Sequence, residues 1–354
     1  MIEIDGGRKS GSGTIVRDAV SLAALTGQEL HITNIRTKRD KPGLRSQHLK
    51  GAEACNQICQ GSIENAEVGS KEIRFWPGDT LYGGNYYFDI GTAGSTALLI
   101  SILLPIAIFS GSASTFRITG GLFQDFAPSA YYLKHVLFPI LNRMGIEAEL
   151  KIAQPGYYPK GHGSIQLQTR PLSKSLRPFT LLEQGRVSKI EGFALSSLLE
   201  ERKVSERMAQ ACQSSMKEKG CKPVIRVVYD SRQSPAFDKV SIQAGACLAI
   251  WATTGRKCLL GSDMAGAPRR SAEFIGEQVA GNLVEDLRTG ATVDRYLADQ
   301  LIPFCALADG TSEYLIPRVT QHVETRLWLV EKMLGAKTRV KNNRVLIKGI
   351  GYQK

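Results

Sequence analysis

Apolar positions recur along the chain in two alternating rhythms, short strand-like runs and longer stretches at helical spacing. Ile2–Asp5 reads as a strand, and Thr14–Leu25 as a helix with apolar positions at Ile15, Val16, Ala19, Val20, Leu22 and Ala23. Glu29–Ile35 is β-like and Gln47–Cys59 is helical, while Ile73–Pro77 and Tyr86–Ile90 are strands bracketed by Gly and Pro. The rhythm returns as helix Ser95–Phe109, strand Thr115–Thr119, helix Pro128–Met144 and strand Ala148–Ile152. It returns once more as helix Val323–Leu334 and strands Thr338–Val340 and Arg344–Lys348. No repeated sequence accompanies it, so a threefold structural repeat rests on pattern alone.

Between Arg177 and Leu260 the texture changes. Strand-like Val187–Phe193 precedes a charged helix, Lys203–Lys219, then strands Lys222–Tyr229 and Cys247–Thr253. This is the pattern of a βαβ-type insertion, within the size of a small domain. The expected fold is α+β, with a main body of residues 1–176 and 261–354 and an inserted small domain of residues 177–260. Helices at Ala272–Leu287 and Thr292–Leu301 are expected after the chain rejoins the body.

The bulk properties narrow the class. Of the 354 residues, 43% are hydrophobic and 22% charged, which excludes a disordered, collagen-like or coiled-coil chain. The longest apolar run, Ala97–Phe109, contains Pro105 and falls short of the ~20 residues of a membrane span, so it reads as a buried helix. The opening Met1-Ile2-Glu3-Ile4-Asp5 lacks a signal-peptide pattern, and a cytoplasmic protein with no membrane partner is expected. Seven scattered cysteines include Cys55 and Cys59, four apart, but no second pair or nearby His completes a zinc site; reduced thiols are expected. The net charge of +12 points to a polyanionic partner, nucleic acid or a phosphorylated ligand.

Three segments could carry chemistry. Residues Gly6-Gly7-Arg8-Lys9-Ser10-Gly11-Ser12-Gly13 follow the first strand and open the first helix, where backbone N–H groups and the helix dipole favour an anion. The run is neither GxGxxG nor a Walker motif, and a tight turn without a ligand has the same pattern. Residues 34–48 hold five basic side chains and one acid before Gln47-His48, a set that suits phosphate, although composition alone favours a solvated basic loop. Among the histidines, His31 and His135 read as structural and His162 lies in a turn. His322 opens an amphipathic helix in Thr320-Gln321-His322, where a neutral imidazole could act as a nucleophile or simply sit at a helix start. Unaided, these residues describe a phosphate-binding α+β protein and no more.

Taken together, the segments resemble the RNA 3′-terminal phosphate cyclase family. The matching stretches are Glu3-Ile4-Asp5-Gly6, Asn34-Ile35-Arg36 through Pro42-Gly43-Leu44-Arg45 with Gln47-His48-Leu49, and Gly91-Thr92-Ala93-Gly94-Ser95. Gly156–Gly163, Tyr296–Gln300 and Thr320-Gln321-His322 complete the order over essentially the whole chain. The resemblance implies three repeated units of helices packed on a four-stranded sheet, plus a smaller inserted domain. It also implies ATP as co-substrate, Mg²⁺ or Mn²⁺, and RNA with a 3′-phosphate end as partner. In the implied reaction a histidine takes AMP from ATP, AMP passes to the RNA 3′-phosphate, and the 2′-hydroxyl then closes a 2′,3′-cyclic phosphate. By that resemblance His322 is the nucleophile. Tyr296, Leu297, Ala298, Asp299 and Gln300 line the nucleotide pocket, and Arg17, Arg36, Arg39, Arg45, Gln47 and His48 serve the RNA and ATP phosphates.

Several family positions differ. Ser10 stands where the family carries a metal-binding Glu, Thr14 and Ser101 where it carries Gln, and Gly120-Gly121-Leu122 and Tyr131 replace Gly-Gly-Thr and a downstream Asp. The glycines of the first loop are expected to leave room for a Glu at Ser10, and no metal ligand is assigned. Two alternatives share the fold: a non-catalytic cyclase-like protein that binds RNA or a ribonucleoprotein, and a nucleotidyltransferase acting on another phosphorylated nucleic-acid end. The insertion carries none of the matched motifs, so it is expected to be dispensable for labelling by AMP.

Overall fold

The computed structural model describes residues 1–354. The first unit runs β1 (Ile2–Asp5), α1 (Gly13–Thr26), β2 (Leu30–Thr33), α2 (Ser46–Cys59), β3 (Ser62–Glu64) and β4 (Ile73–Trp76). Its sheet has the order β1-β2-β4-β3, with β1 and β2 parallel and the other pairs antiparallel. The second unit runs β5 (Asn85–Asp89), α3 (Thr96–Ala107) and β6 (Ser114–Gly120). It continues with α4 (Ala130–Tyr132), which passes through a π turn at Leu133–Leu137 into α5 (Phe138–Arg143), then β7 (Ala148–Gln154) and β8 (Gly163–Thr169). Its order, β5-β6-β8-β7, repeats the directions of the first sheet.

The third unit starts at β9 (Thr180–Leu181) and is then interrupted. The interruption comprises β10 (Val187–Ser197), α6 (Val204–Lys217), β11 (Val224–Asp230), β12 (Gly245–Thr254), β13 (Leu259–Ala265) and α7 (Ala272–Arg288). The chain returns as α8 (Leu297–Gln300), α9 (Ile302–Leu307), β14 (Thr311–Leu315), α10 (Gln321–Leu334), β15 (Lys337–Lys341) and β16 (Arg344–Lys348). The third sheet, β9-β14-β16-β15, again pairs its first two strands in parallel and the rest antiparallel. Three copies of one βαβαββ topology therefore form the body, as the threefold pattern predicts. The interruption has its own four-stranded sheet, β11-β10-β12-β13, whose β10-α6-β11 part is a parallel βαβ unit.

Local chemistry accounts for the helix ends that place the site. Ser12 caps α1 by accepting from the Thr14 N–H, and Gly27 ends it with a φ of 70° that most residues avoid. Thr320 caps α10 the same way, accepting from the Val323 N–H at 3.2 Å, and Gly335 closes it at φ 71°. Helix α3, apolar nearly all round, is almost wholly buried in a core of 79 residues that joins the three units.

Helix Thr292–Leu301 is a correction. The segment from 292 to 296 is not helical, and only α8 forms. The buried Asp294 carboxylate accepts from the N–H groups of Tyr296, Leu297 and Gly261 and from the Tyr132 hydroxyl, all at 2.7–2.9 Å. A side chain that satisfies the first backbone donors holds its own residue outside the helix. Burial raises the Asp294 pKa to about 6. Strands β3, β8, β9, β13 and β14 are additional to those expected.

The interrupting unit is built by alternation. Along β10, β12 and β13, Ile190, Ala194, Leu248, Ile250, Ala252 and Leu260 turn toward α6 and α7 and form a second core of 19 residues. Their neighbours Leu195, Cys247, Ala249, Trp251 and Leu259 turn the other way and join the body's core. There His135 stacks on Trp251 with ring centres 4.3 Å apart, and Tyr131 stacks on Phe193 at 4.9 Å. Because β9 pairs with β14 and α7 packs on α6, we propose that the unit spans residues 187–288 rather than 177–260.

This aromatic seam sets a stability expectation. Trp251→Ala should cost about 3–5 kcal/mol, the usual range for emptying a large buried aromatic site, as measured by urea unfolding of the whole chain.

Candidate active site

The glycine-rich turn brings α1 against α2 and α10. Gly13 is required there, because a Cβ on it would overlap the His48 ring. At the start of α2 the Arg45 N–H donates to His48 Nδ1 at 3.1 Å, which leaves the proton of the neutral ring on Nε2. That nitrogen meets Arg17 Nη1 at 3.5 Å. Burial, helped by Arg17, Arg36 and Arg45, holds the His48 pKa well below the ordinary imidazole value, so the ring is neutral. Two donors thus converge without an acceptor between them, and Arg17 Nε is buried without any partner. An anion's oxygen is what this corner lacks. Burial lowers the Arg17 pKa to about 10, which leaves it charged at neutral pH.

Thr14 links this corner to His322. Its Oγ1 accepts from Arg17 Nη2 at 3.1 Å and lies 3.1 Å from His322 Nδ1. One turn further along α10, Arg326 is buried between two carboxylates. Its Nε donates to Asp18 Oδ2 at 2.8 Å and its Nη1 lies 3.1 Å from Asp299 Oδ2. Helices α1, α8 and α10 are tied together at that point.

His322, Arg17, Tyr296, Asp299 and Gln300 line one cavity of about 250 Å³, open at the His322 ring. Thr14, named in the sequence only as a changed family position, lines it too, with residues the sequence reading missed, among them Leu98, Phe126, Pro128 and Arg326. Arg326 carried a signal, four residues after His322 on the same helix; Phe126 and Pro128, in an irregular loop, carried none. Ser101 lies on the wall as well. Leu297 and Ala298 do not reach the cavity, since both are fully buried in the main core. A second cavity of about 410 Å³ adjoins the first through Leu98, Phe126 and Ala127, and Gln47 lines this one instead. Arg39 and Arg45 are exposed at the rim, while Arg36 Nη1 donates to the carbonyls of Lys41 and Gly43 at 2.8 and 2.9 Å, holding the basic loop.

Ser10 is also a correction. It is 5% exposed, and Ser10, Ser12 and Thr325 form a closed hydroxyl cluster with oxygens 2.9 Å apart. A Glu at that position would replace this cluster with a carboxylate buried against α10. No group of three or more His, Cys, Asp or Glu side chains is placed to hold a metal ion. The carboxylate on the cavity wall, Asp299, is engaged by Arg326. These residues do not fit a divalent cation held by the protein. Tyr131 lies in the aromatic seam, away from the cavity.

The surroundings of His322 lower its basicity. Partial desolvation by the walls is the main cause, with Arg326, Arg17 and Arg39 adding to it and Asp299 opposing. A lowered pKa means that the neutral ring persists as pH falls through 6.5 and is lost only below. The imidazole should therefore titrate below 6.5, and Asp299→Asn, which removes the opposing carboxylate, should move the midpoint lower still. Imidazole NMR titration of the full chain checks both.

Comparison with known proteins agrees with this geometry. A family model described as RNA 3′-terminal phosphate cyclase matches residues 8–340. A protein of Ignicoccus hospitalis is 37% identical over 334 residues, covering 94% of this chain and 93% of its own. One of Archaeoglobus fulgidus is 36% identical over 98% of this chain and 100% of its own, and one of Pyrococcus furiosus 36% over 96% and 95%. All three are named RNA 3′-terminal phosphate cyclase. With the βαβαββ repeat, the insertion and these matches in place, the chain belongs to the RNA 3′-terminal phosphate cyclase family.

Proposed function

We propose that the protein converts an RNA 3′-terminal phosphate to a 2′,3′-cyclic phosphodiester, using ATP and an adenylyl-histidine at His322. The observation that carries this reading is an exposed imidazole lining the cavity, 3.1 Å from Thr14 Oγ1, beside a buried arginine corner whose donors lack an acceptor. The family's membership in phosphate-ended RNA chemistry supports the substrate class.

In the tautomer with its proton on Nδ1, His322 donates to Thr14 Oγ1 and presents the Nε2 lone pair to the cavity. Nε2 attacks the α-phosphorus of ATP, a P–N bond forms, and the bond to pyrophosphate breaks. Arg17 and the Nε2–H of His48 offset the charge that gathers on the phosphate oxygens. An oxygen of the RNA 3′-phosphate then attacks the same phosphorus, the P–N bond breaks, and a phosphoanhydride to AMP results. The 2′-hydroxyl finally attacks the 3′-phosphorus, loses its proton, and AMP leaves. Activation is needed because a phosphomonoester has a poor leaving group. The exposed Arg39 and Arg45 and the +12 net charge suit the RNA backbone, since phosphate contacts supply most sequence-independent affinity. Any Mg²⁺ or Mn²⁺ would be held by the phosphates of the nucleotide.

Incubation with α-labelled ATP and Mg²⁺ or Mn²⁺ should give a covalent protein–AMP adduct that is acid-labile and alkali-stable, as a phosphoramidate is. His322→Asn should abolish it, because an amide is no nucleophile. Absence of an adduct in the wild type under all these conditions would favour a non-catalytic RNA-binding protein. An adduct that passes AMP to other phosphorylated ends, but not to RNA 3′-phosphate, would favour a different nucleotidyltransferase.

The rim arginines make a separate expectation. Arg39→Ala and Arg45→Ala should each weaken RNA binding and reduce the steepness of its salt dependence by about one phosphate contact. Lys should restore affinity only in part, because it lacks the planar fork. Binding titrations over a range of salt concentrations measure this.

A further inference from the structure

Two aromatic rings stand in solvent beside the nucleotide cavity. Phe126 has a relative exposure of 104% and Tyr158 of 70%; among the aromatic side chains only Tyr87, at 63%, compares with them. Phe126 also has φ +65°, a left-handed conformation that residues with a Cβ rarely adopt. A large apolar ring held in water on such a backbone gains nothing from folding, and an outlier of this kind points to a function.

Both rings line the cavity of about 410 Å³, which adjoins the His322 cavity through Leu98, Phe126 and Ala127. Gln47 lines it too, with Oε1 accepting from the Ser95 N–H at 3.2 Å so that its NH₂ is oriented. The one carboxylate on this wall, Asp125, would repel a phosphate chain, but the Arg270 guanidinium grips both of its oxygens at 2.9 Å. The wall therefore offers two aromatic rings, and its one carboxylate is already paired.

We propose that this second cavity holds the base of the RNA's terminal nucleotide, stacked on Phe126 and Tyr158. The inference rests on the cyclase reading above. If the 3′-phosphate is to reach AMP on His322, its own base lies one ribose away, and the adenine cavity is already filled. The adjoining cavity shares Leu98, Phe126 and Ala127 with the His322 cavity and is the one that carries both exposed rings. Single-stranded ends are recognised by stacking on aromatic faces, and stacking accepts any base because each has a π-face. The site therefore demands a base without selecting which one.

The test compares two oligoribonucleotides with 3′-phosphate ends, identical except that one has an abasic terminal ribose, binding to the full chain by fluorescence anisotropy. The wild type should bind the base-bearing end roughly tenfold more tightly, the usual worth of one stacked base. Tyr158→Ala should erase most of that preference while leaving affinity for the abasic end in place, Phe126→Ala should erase the preference as well, and Tyr158→Phe and Phe126→Trp should keep it. Both rings are exposed, so thermal unfolding of the variants should match the wild type. Tyr158 lies outside the nucleotide cavity and is the cleaner position. Equal binding of both ends by the wild type overturns the proposal, and if both are also cyclised the enzyme reading stands without it. No RNA binding at all removes both. Variants that change only the oligomeric state, with the base preference intact, would assign the rings to contact with a second copy of the chain and overturn the proposal.

Discussion

Arg326 lies buried between Asp18 of α1 and Asp299 of α8, and the candidate site hangs on that triad. Taking one arginine and two carboxylates out of water is costly, and the arrangement holds only because the fork of Arg326 reaches both partners and Arg17 adds a second positive charge nearby. It joins the first structural unit to the third. Together with the Ser10–Thr325 hydrogen bonds it fixes the rotation of α10 against α1 that turns His322 toward Thr14. Position and electrostatics come from the same group, because Arg326 and Asp299 also act in opposite directions on the basicity of His322.

The neutral hydroxyl cluster of Ser10, Ser12 and Thr325 sits beside this triad. Three hydroxyls satisfy one another in a space where a carboxylate would be buried, and they leave the first loop without an acid for a cation. The charge at the site is therefore governed by arginines and neutral imidazoles. His48 is held neutral by burial and by three arginines, and donates through Nε2 into the same corner.

The interrupting unit is joined to the body through rings rather than by a flexible tether. His135, Tyr131, Phe193 and Trp251 stack across the boundary, and the alternation of β10 and β12 divides their side chains between two cores. Tyr131 is part of this seam. The unit bears none of the matched motifs, yet it supports the helical stretch that precedes α5, and the loop with Phe126 leads into that stretch.

Sequence alone determined the order of elements, because periods of 2 and 3.6 record which face of each element meets the core. It showed three returns of one rhythm and the interruption, and through the family resemblance it named His322, Arg17, Tyr296, Asp299 and Gln300 as site residues without showing that they meet. Very short strands such as β9 escaped it, since two residues carry no period. Thr292–Tyr296 misled it, because a helical pattern does not reveal that Asp294 will satisfy the first backbone donors from the side. The ends of the interrupting unit were decided by pairing: β9 with β14 and α7 on α6 are contacts between segments far apart in the chain. Only the tertiary structure moved Leu297 and Ala298 into the core, assigned Gln47 to a second cavity, and gave Arg326 two carboxylates from different units. Local patterns record burial, whereas a site is made by distances between distant residues, which only the packed chain defines.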